Sequence, residues 1–147
     1  MFYLYTFLLA LAPVAELRGA LPIAIFTYHL SFWPAIAISV LGTALGGIFV
    51  LIILKYVEIL IDKWPRAKKI KEKIYAHTQS KYSKRFESLK ELLVFVLSAI
   101  PIPFLGGSYT AALVAYVFGA NKTKSIIAIF LGVIIQGIII AFSLKLI

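Results

Sequence analysis

The decapeptide PVAELRGALP, residues 13–22, sets Glu16 and Arg18 inside an apolar stretch that starts at Met1 and meets no further acid, Lys or Arg until Lys55. A charge at the centre of a bilayer costs roughly 2.5–3.5 kcal/mol on insertion scales, so two of them demand a partner, a cavity or a task. The same segment carries Pro13, Gly19 and Pro22, which interrupt a helix. Broken backbone at membrane depth survives only where protein or a watery cavity satisfies the freed N–H and C=O groups. A Pro-kinked spanning helix is the plainer account of the prolines. It leaves the two charges unexplained.

Working outward, 62% of the 147 residues are hydrophobic and the mean hydropathy is +0.99. Soluble domains sit near 45–50% apolar, so the chain reads as an integral membrane protein built as one membrane domain. There is no cysteine, which excludes disulfides, thiolate metal sites and cysteine nucleophiles. The opening MFYLYTFLLALA ends in an A-x-A pattern but lacks the positive leader of a signal peptide, and it reads as retained.

The net charge of +9 is concentrated: ten of the fifteen Lys and Arg residues lie between Asp62 and Lys90, against three acids. Nucleic acid is a conceivable partner for such a run, but its juxtamembrane position favours a cytoplasmic loop drawn to anionic head groups. Ile70, Ile74, Thr78, Tyr82 and Phe86 recur every four residues, with Leu89 and Leu93 continuing the face. That predicts an amphipathic helix lying on the inner membrane surface. His29 and His77 lack the company of a metal site or a catalytic pair.

Four apolar blocks remain, at about 2–30, 34–57, 92–119 and 125–147, and the first and third are broken near the middle. The third break is PIPFLGGS, residues 101–108. A shift of ninety residues superposes 11–55 on 101–145 without a gap, pairing Pro13 with Pro103, Gly42 with Gly132, Gly47 with Gly137 and Lys55 with Lys145. The matches fall on helix-packing glycines, a proline of the break and a terminal lysine, as a duplicated unit requires. Gly42 and Gly46 form a G-x-x-x-G that reads as a packing face.

The expected fold is therefore all-α: an inverted repeat of two units, each a re-entrant helical hairpin followed by a transmembrane helix, joined by a basic amphipathic cytoplasmic helix. The boundaries are 1–57 for the first repeat, 58–91 for the linker and 92–147 for the second. With the linker cytoplasmic and block three returning to its own side, Lys122 and Lys124 are also cytoplasmic and the segment from Thr27 to Pro34 faces outward. This obeys the positive-inside rule, whereas four plain spans would put those two lysines outside. Both termini then lie outside the cell membrane.

ELRGALPIA, residues 16–24, followed by PIPFLGGSYTAALVAYVFG, residues 101–119, resembles the putative small multidrug export family, which is related to the DedA superfamily. The first motif is a close match. In the second, Pro101, Pro103 and Gly106 agree with the family's P-x-P-x-T-G-A-W-T-G, and Thr110 agrees once Ser108 is passed over as an inserted residue, while Leu105, Gly107 and Tyr109 replace Thr, Ala and Trp. The resemblance implies two opposed re-entrant hairpins and a part in lipid traffic, since DedA-superfamily members include polyprenyl phosphate carriers and eukaryotic phospholipid scramblases.

The residues support an anionic guest on physical grounds. The second half-helix of each hairpin begins at the tip, so its positive dipole end points into the membrane. One such end is expected near Gly19, with Pro22 following, and the other near Ser108, whose hydroxyl would cap it. Gly106 and Gly107 would arrange successive amides as an anion-binding concavity. Pro101 and Pro103 turn the chain at the same tip. Arg18 supplies a planar fork suited to phosphate, and Glu16 would pair with it in the empty state, then take up a proton as a guest arrives.

This reading makes the chain a flippase or scramblase for a lipid phosphate, proton-linked or passive, with membrane lipid as partner, no nucleic acid and no cofactor. The oligomeric state, a homo-oligomer included, stays open. Three alternatives stand beside it: an ion pair that only pins the hairpin tip, a cation or drug antiporter using Glu16 as its carboxylate, and an assembly or membrane-shaping factor resting on the basic loop. No activated nucleophile, metal cluster or nucleotide loop points to an enzyme.

Overall fold

The chain's first helix stops where a proline forbids it to continue. In the computed structural model, which describes residues 1–81, 89–102 and 106–145, helix α1 (Phe2–Leu11) ends at Ala12, whose backbone is extended at φ −76°, ψ 132° ahead of Pro13. Residues before proline are driven out of the helical region, and this one obeys. After a short turn α2 (Glu16–Pro22) begins, and it runs directly into a π-helical segment, Ile23–Thr27. The wider coil follows Pro22, which lacks an N–H and crowds the preceding turn.

The chain then comes back to where it started. The Phe2 and Tyr28 rings stack at 5.0 Å, so the beginning of α1 and the end of the π segment are neighbours, and 2–28 is a helical hairpin. His29, at φ 50°, reverses the chain into α3 (Phe32–Asp62). At 31 residues, α3 is long and apolar enough to cross a membrane. It carries the helix five residues beyond the expected boundary at 57, because nothing in Glu58–Asp62 breaks it before Pro65. Helix α4 (Pro65–Lys81) covers the start of the predicted amphipathic helix, with Ile70 exposed. Tyr82 and Phe86 lie outside the described residues, as do the side chains of Ile74 and Thr78.

Helix α5 (Lys90–Ala99) repeats the rule of α1, since Ile100 is extended at φ −81°, ψ 121° ahead of Pro101. This corrects the ungapped register: the proline that ends the helix is Pro101, not the Pro103 paired with Pro13, and Pro103 lies outside the described residues. The reason is local, because the second connection, 100–107, is longer than the first, 12–15. Helix α6 (Ser108–Val117) closes on Gly119 at φ 62°, with the Ala120 N–H donating to the Ala115 carbonyl at 2.9 Å. Asn121 caps α7 (Lys122–Lys145), its Oδ1 accepting from the Lys124 N–H at 3.2 Å. Helix α7 is the second element long and apolar enough to span a membrane.

Packing follows the paired glycines. A Cβ at Gly42 would come within 2.8 Å of Ala10, and one at Gly132 within 2.7 Å of the Phe95 carbonyl, so α1 lies on α3 as α5 lies on α7. The second pair crosses between halves. A Cβ at Gly47 would meet Ser108 of α6 at 2.6 Å, and one at Gly137 would meet Val40 of α3 at 2.8 Å and Leu17 of α2 at 3.5 Å. Close approach at small residues is how membrane helices gain dispersion energy without a hydrophobic driving force. Hydroxyls add to it, with Thr43 Oγ1 donating to the Ala10 carbonyl at 3.2 Å and Ser98 Oγ to the Ala128 carbonyl at 3.3 Å. The fold thereby sets the break of the first hairpin against the break of the second.

Candidate functional site

Glu16 is the first residue of α2 and has a left-handed backbone, φ 44°. Residues i and i+2 point to opposite sides of a regular helix, so this irregularity is what lets Arg18 Nη2 reach Glu16 Oε2 at 3.4 Å. Glu16 is only 6% exposed. A carboxylate so placed must be satisfied by donors, and they come from the other half of the chain. The Ser108 hydroxyl donates to Oε1 at 3.4 Å, and the backbone N–H groups of Ser108 and Tyr109 turn toward the same carboxylate. Glu16 therefore closes the N-terminus of α6, the favourable end of a helix dipole for a negative charge.

Gly107 makes the approach feasible. It has φ 125°, and a Cβ there would lie 2.5 Å from Glu16 Oε2 and 2.9 Å from Arg18 Nη2. Only glycine leaves room for the ion pair and adopts that backbone freely.

Arg18 is held by the opposite tip as well. Its Nη2 donates to the Gly106 carbonyl. Its Nε lies 3.3 Å from the amide oxygen of Gln136, in the orientation that lets the Gln136 amide nitrogen donate to the Ser98 carbonyl at 3.1 Å. Of the guanidinium's five N–H groups, the two on Nη1 have no partner among the described residues. Tyr109 completes the seam by donating its hydroxyl to the Leu11 carbonyl at the end of α1.

Beside these contacts lies an open cavity of about 510 Å³, bordered by the turn at 13–15 and by Glu16, Arg18, Gly19, Gly106, Tyr109 and Thr110. Glu16, Arg18, Gly19, Gly106 and Thr110 were expected at the site and line it. Gly107 and Ser108 belong to it through the Glu16 carboxylate. Pro22 and Pro101 are not among the residues that line the cavity, because each acts at a helix break rather than at the opening. Pro103 lies outside the described residues.

Three expectations about the tips are corrected. Gly107, not Ser108, stands at the N-cap of α6, and the Ser108 side chain bonds Glu16 instead of capping. The Gly106 and Gly107 amides are not an open anion concavity, since they donate to the Ile102 carbonyl at 3.1 Å and the Leu97 carbonyl at 2.8 Å. The half-helix expected to start near Gly19 starts at Glu16, and the Gly19 N–H is used within it, donating to Ala15 at 2.8 Å. In each case the chain's own groups take the bonds first.

Two contributors escaped the sequence reading. Tyr109 stood out only as a departure from a motif. Gln136 has a signal in the sequence, being an uncharged but strongly polar residue in the middle of an apolar helix. Among the described residues no group of His, Cys, Asp and Glu has the makeup of a metal site.

No curated protein and no solved structure matches the chain. The family described as putative small multi-drug export protein does match, over residues 16–139, which begins at the buried glutamate and takes in every residue that meets it from the second hairpin. With the match covering most of its length, and with two helices able to span a bilayer, the chain is a membrane protein that belongs to the family of putative small multi-drug export proteins.

Proposed function

We propose that the chain is a carrier for the phosphate-bearing head group of a membrane lipid, which passes between the tips of two re-entrant hairpins while its tail stays in the bilayer. The arms α1, α5 and α6 have ten residues each, about 15 Å at 1.5 Å per residue, half of the roughly 30 Å hydrocarbon core. Arms of that length that meet tip to tip fit an inverted repeat entering from opposite faces. On α3, exposed Trp33 and Tyr56 stand about 35 Å apart at the same rise, the spacing of two interfacial aromatic belts. The basic segment after Asp62 and the lysines that open α7 then share the cytoplasmic side, and both termini lie outside.

The observation that carries the reading is the state of the two charges. Among the described residues nothing accepts from the two N–H groups on Arg18 Nη1, beside a cavity of about 510 Å³, whereas the Glu16 carboxylate is already engaged by Arg18 and by the start of α6. A permanently charged N–H donor suits a phosphate oxygen. A cation offered to Glu16 would have to displace a guanidinium that sits next to it.

A second reading, a small cation or drug:proton antiporter in which Glu16 is the exchanging carboxylate, is favoured by the family's description. Purified protein in vesicles separates the two. The lipid reading expects movement of a fluorescent lipid phosphate that Arg18→Gln abolishes. The drug reading expects uptake of a cationic dye, driven by a pH gradient, that Glu16→Gln abolishes and Arg18→Gln spares.

A further inference from the structure

The Gln136 amide is the largest fully buried polar group in either long helix, and it touches Arg18. We propose that Gln136 is the positioning residue that aims the Arg18 guanidinium at its guest and, by being neutral, determines that the site selects anions. The inference rests on the reading of Arg18 as the head-group ligand.

Gln136 is fully buried at the middle of α7, and an amide in that setting is costly unless both of its ends are bonded. Both are, to Ser98 on one side and Arg18 on the other. The bond to Nε fixes the plane of the guanidinium. With Nη2 held by Glu16 and the Gly106 carbonyl, Nη1 is the nitrogen that no acceptor among the described residues takes, and it is left to receive a ligand.

The repeat gives an internal comparison. Ninety residues earlier stands Gly46, and it too faces a tip side chain from the other half, the Tyr109 ring. Both long helices thus receive a tip residue at the same register. Helix α3 offers only space there, while α7 offers an acceptor.

Charge arithmetic says why the acceptor is an amide. Glu16 and Arg18 already sum to zero. A second carboxylate on Nε would make the site negative and repel a phosphate, whereas a carbonyl oxygen satisfies Nε and leaves the sum unchanged. Among the described residues, the charged and titratable groups that face position 136 are Arg18 from α2 and, beyond it, Glu16, which Tyr109 of α6 faces in turn.

The test uses full-length protein in detergent and a soluble short-chain phosphatidic acid as the probe, with affinity measured between about pH 5 and pH 8 and the thermal midpoint of each variant alongside. Gln136→Glu has the shape of the native side chain. Protonated, it can still donate to Ser98 and accept from Arg18; ionised, it competes with the probe. Its affinity is expected to match wild type at the acid end and to fall about tenfold below it at the alkaline end, as loss of a charge-assisted hydrogen bond would give. Gln136→Leu is expected to bind about tenfold more weakly at every pH, with no added slope. If Gln136→Glu follows the wild-type profile within about twofold, or if both variants lose only thermal stability while their folded fraction binds normally, Gln136 merely fills space and the inference is overturned. Should Gln136→Glu not fold, Gln136→Leu decides by the same affinity criterion. A wild type that binds no phosphate-bearing probe overturns the carrier reading and this inference together.

Discussion

The Ser108 hydroxyl lies 3.4 Å from Glu16 Oε1, so a carboxylate carried by the first hairpin closes the helix that begins the second. Residues 92 positions apart meet at the one place where both breaks converge. The tips are not separate loops that happen to face each other; each supplies what the other's backbone leaves unsatisfied.

That mutual dependence makes Gly107 intolerant of a side chain. Gly107→Ala should lower stability by about 1–3 kcal/mol, from a strained φ and from displacement of the ion pair. Unfolding in mixed micelles measures it, and a variant as stable as wild type would mean that the carboxylate is not held against this backbone.

Glu16 and Arg18 should behave as a coupled pair. Removing one member of a buried pair strands the other, at a cost of about 3–5 kcal/mol, so Glu16→Ala and Arg18→Ala should each be more damaging than half of the double variant. A double-mutant cycle reads the coupling. Strict additivity would show that the two side chains do not depend on each other.

The absence of cysteine allows the topology to be read by single introduced thiols. Ser31→Cys, ahead of α3, should react with an impermeant maleimide added outside cells, and Lys124→Cys, at the start of α7, only after permeabilisation. Labelling of both from outside would establish four plain spans and remove the re-entrant arrangement.

The glycine pairs should be unequal to their lipid-facing neighbours. Gly132→Val forces α5 off α7 and is expected to cost about 1–3 kcal/mol or more by overpacking, while Leu131→Val, on the exposed side of the same turn, should change stability by less than about 0.5 kcal/mol. Thermal inactivation of the two variants side by side checks this.

A synthetic peptide covering residues 63–90 should gain helix on vesicles rich in anionic lipid and lose most of that binding at high salt, because its basic residues are each worth about 1 kcal/mol near such a surface. Equal binding to neutral vesicles would point to Trp64 and the apolar stripe as the whole attraction.

Composition alone settled that this chain belongs in a membrane, since too few polar residues exist to cover a soluble surface, and Pro13 and Pro101 marked both breaks because proline biases the residue before it away from the helical region, as at Ala12 and Ile100. Glu16 and Arg18 were legible for a related reason: two charges in an apolar run cannot be neutral background. Their partners were not legible. Which amides stay free at a tip depends on which carbonyls come near, and Ile102, Leu97 and Ala15 took the N–H groups of Gly106, Gly107 and Gly19 before any guest could. The meeting of Glu16 with Ser108, and of Arg18 with Gln136, joins residues 92 and 118 positions apart. Contacts that distant are chosen by how four glycines let helices close on one another, and only the folded arrangement contains that choice.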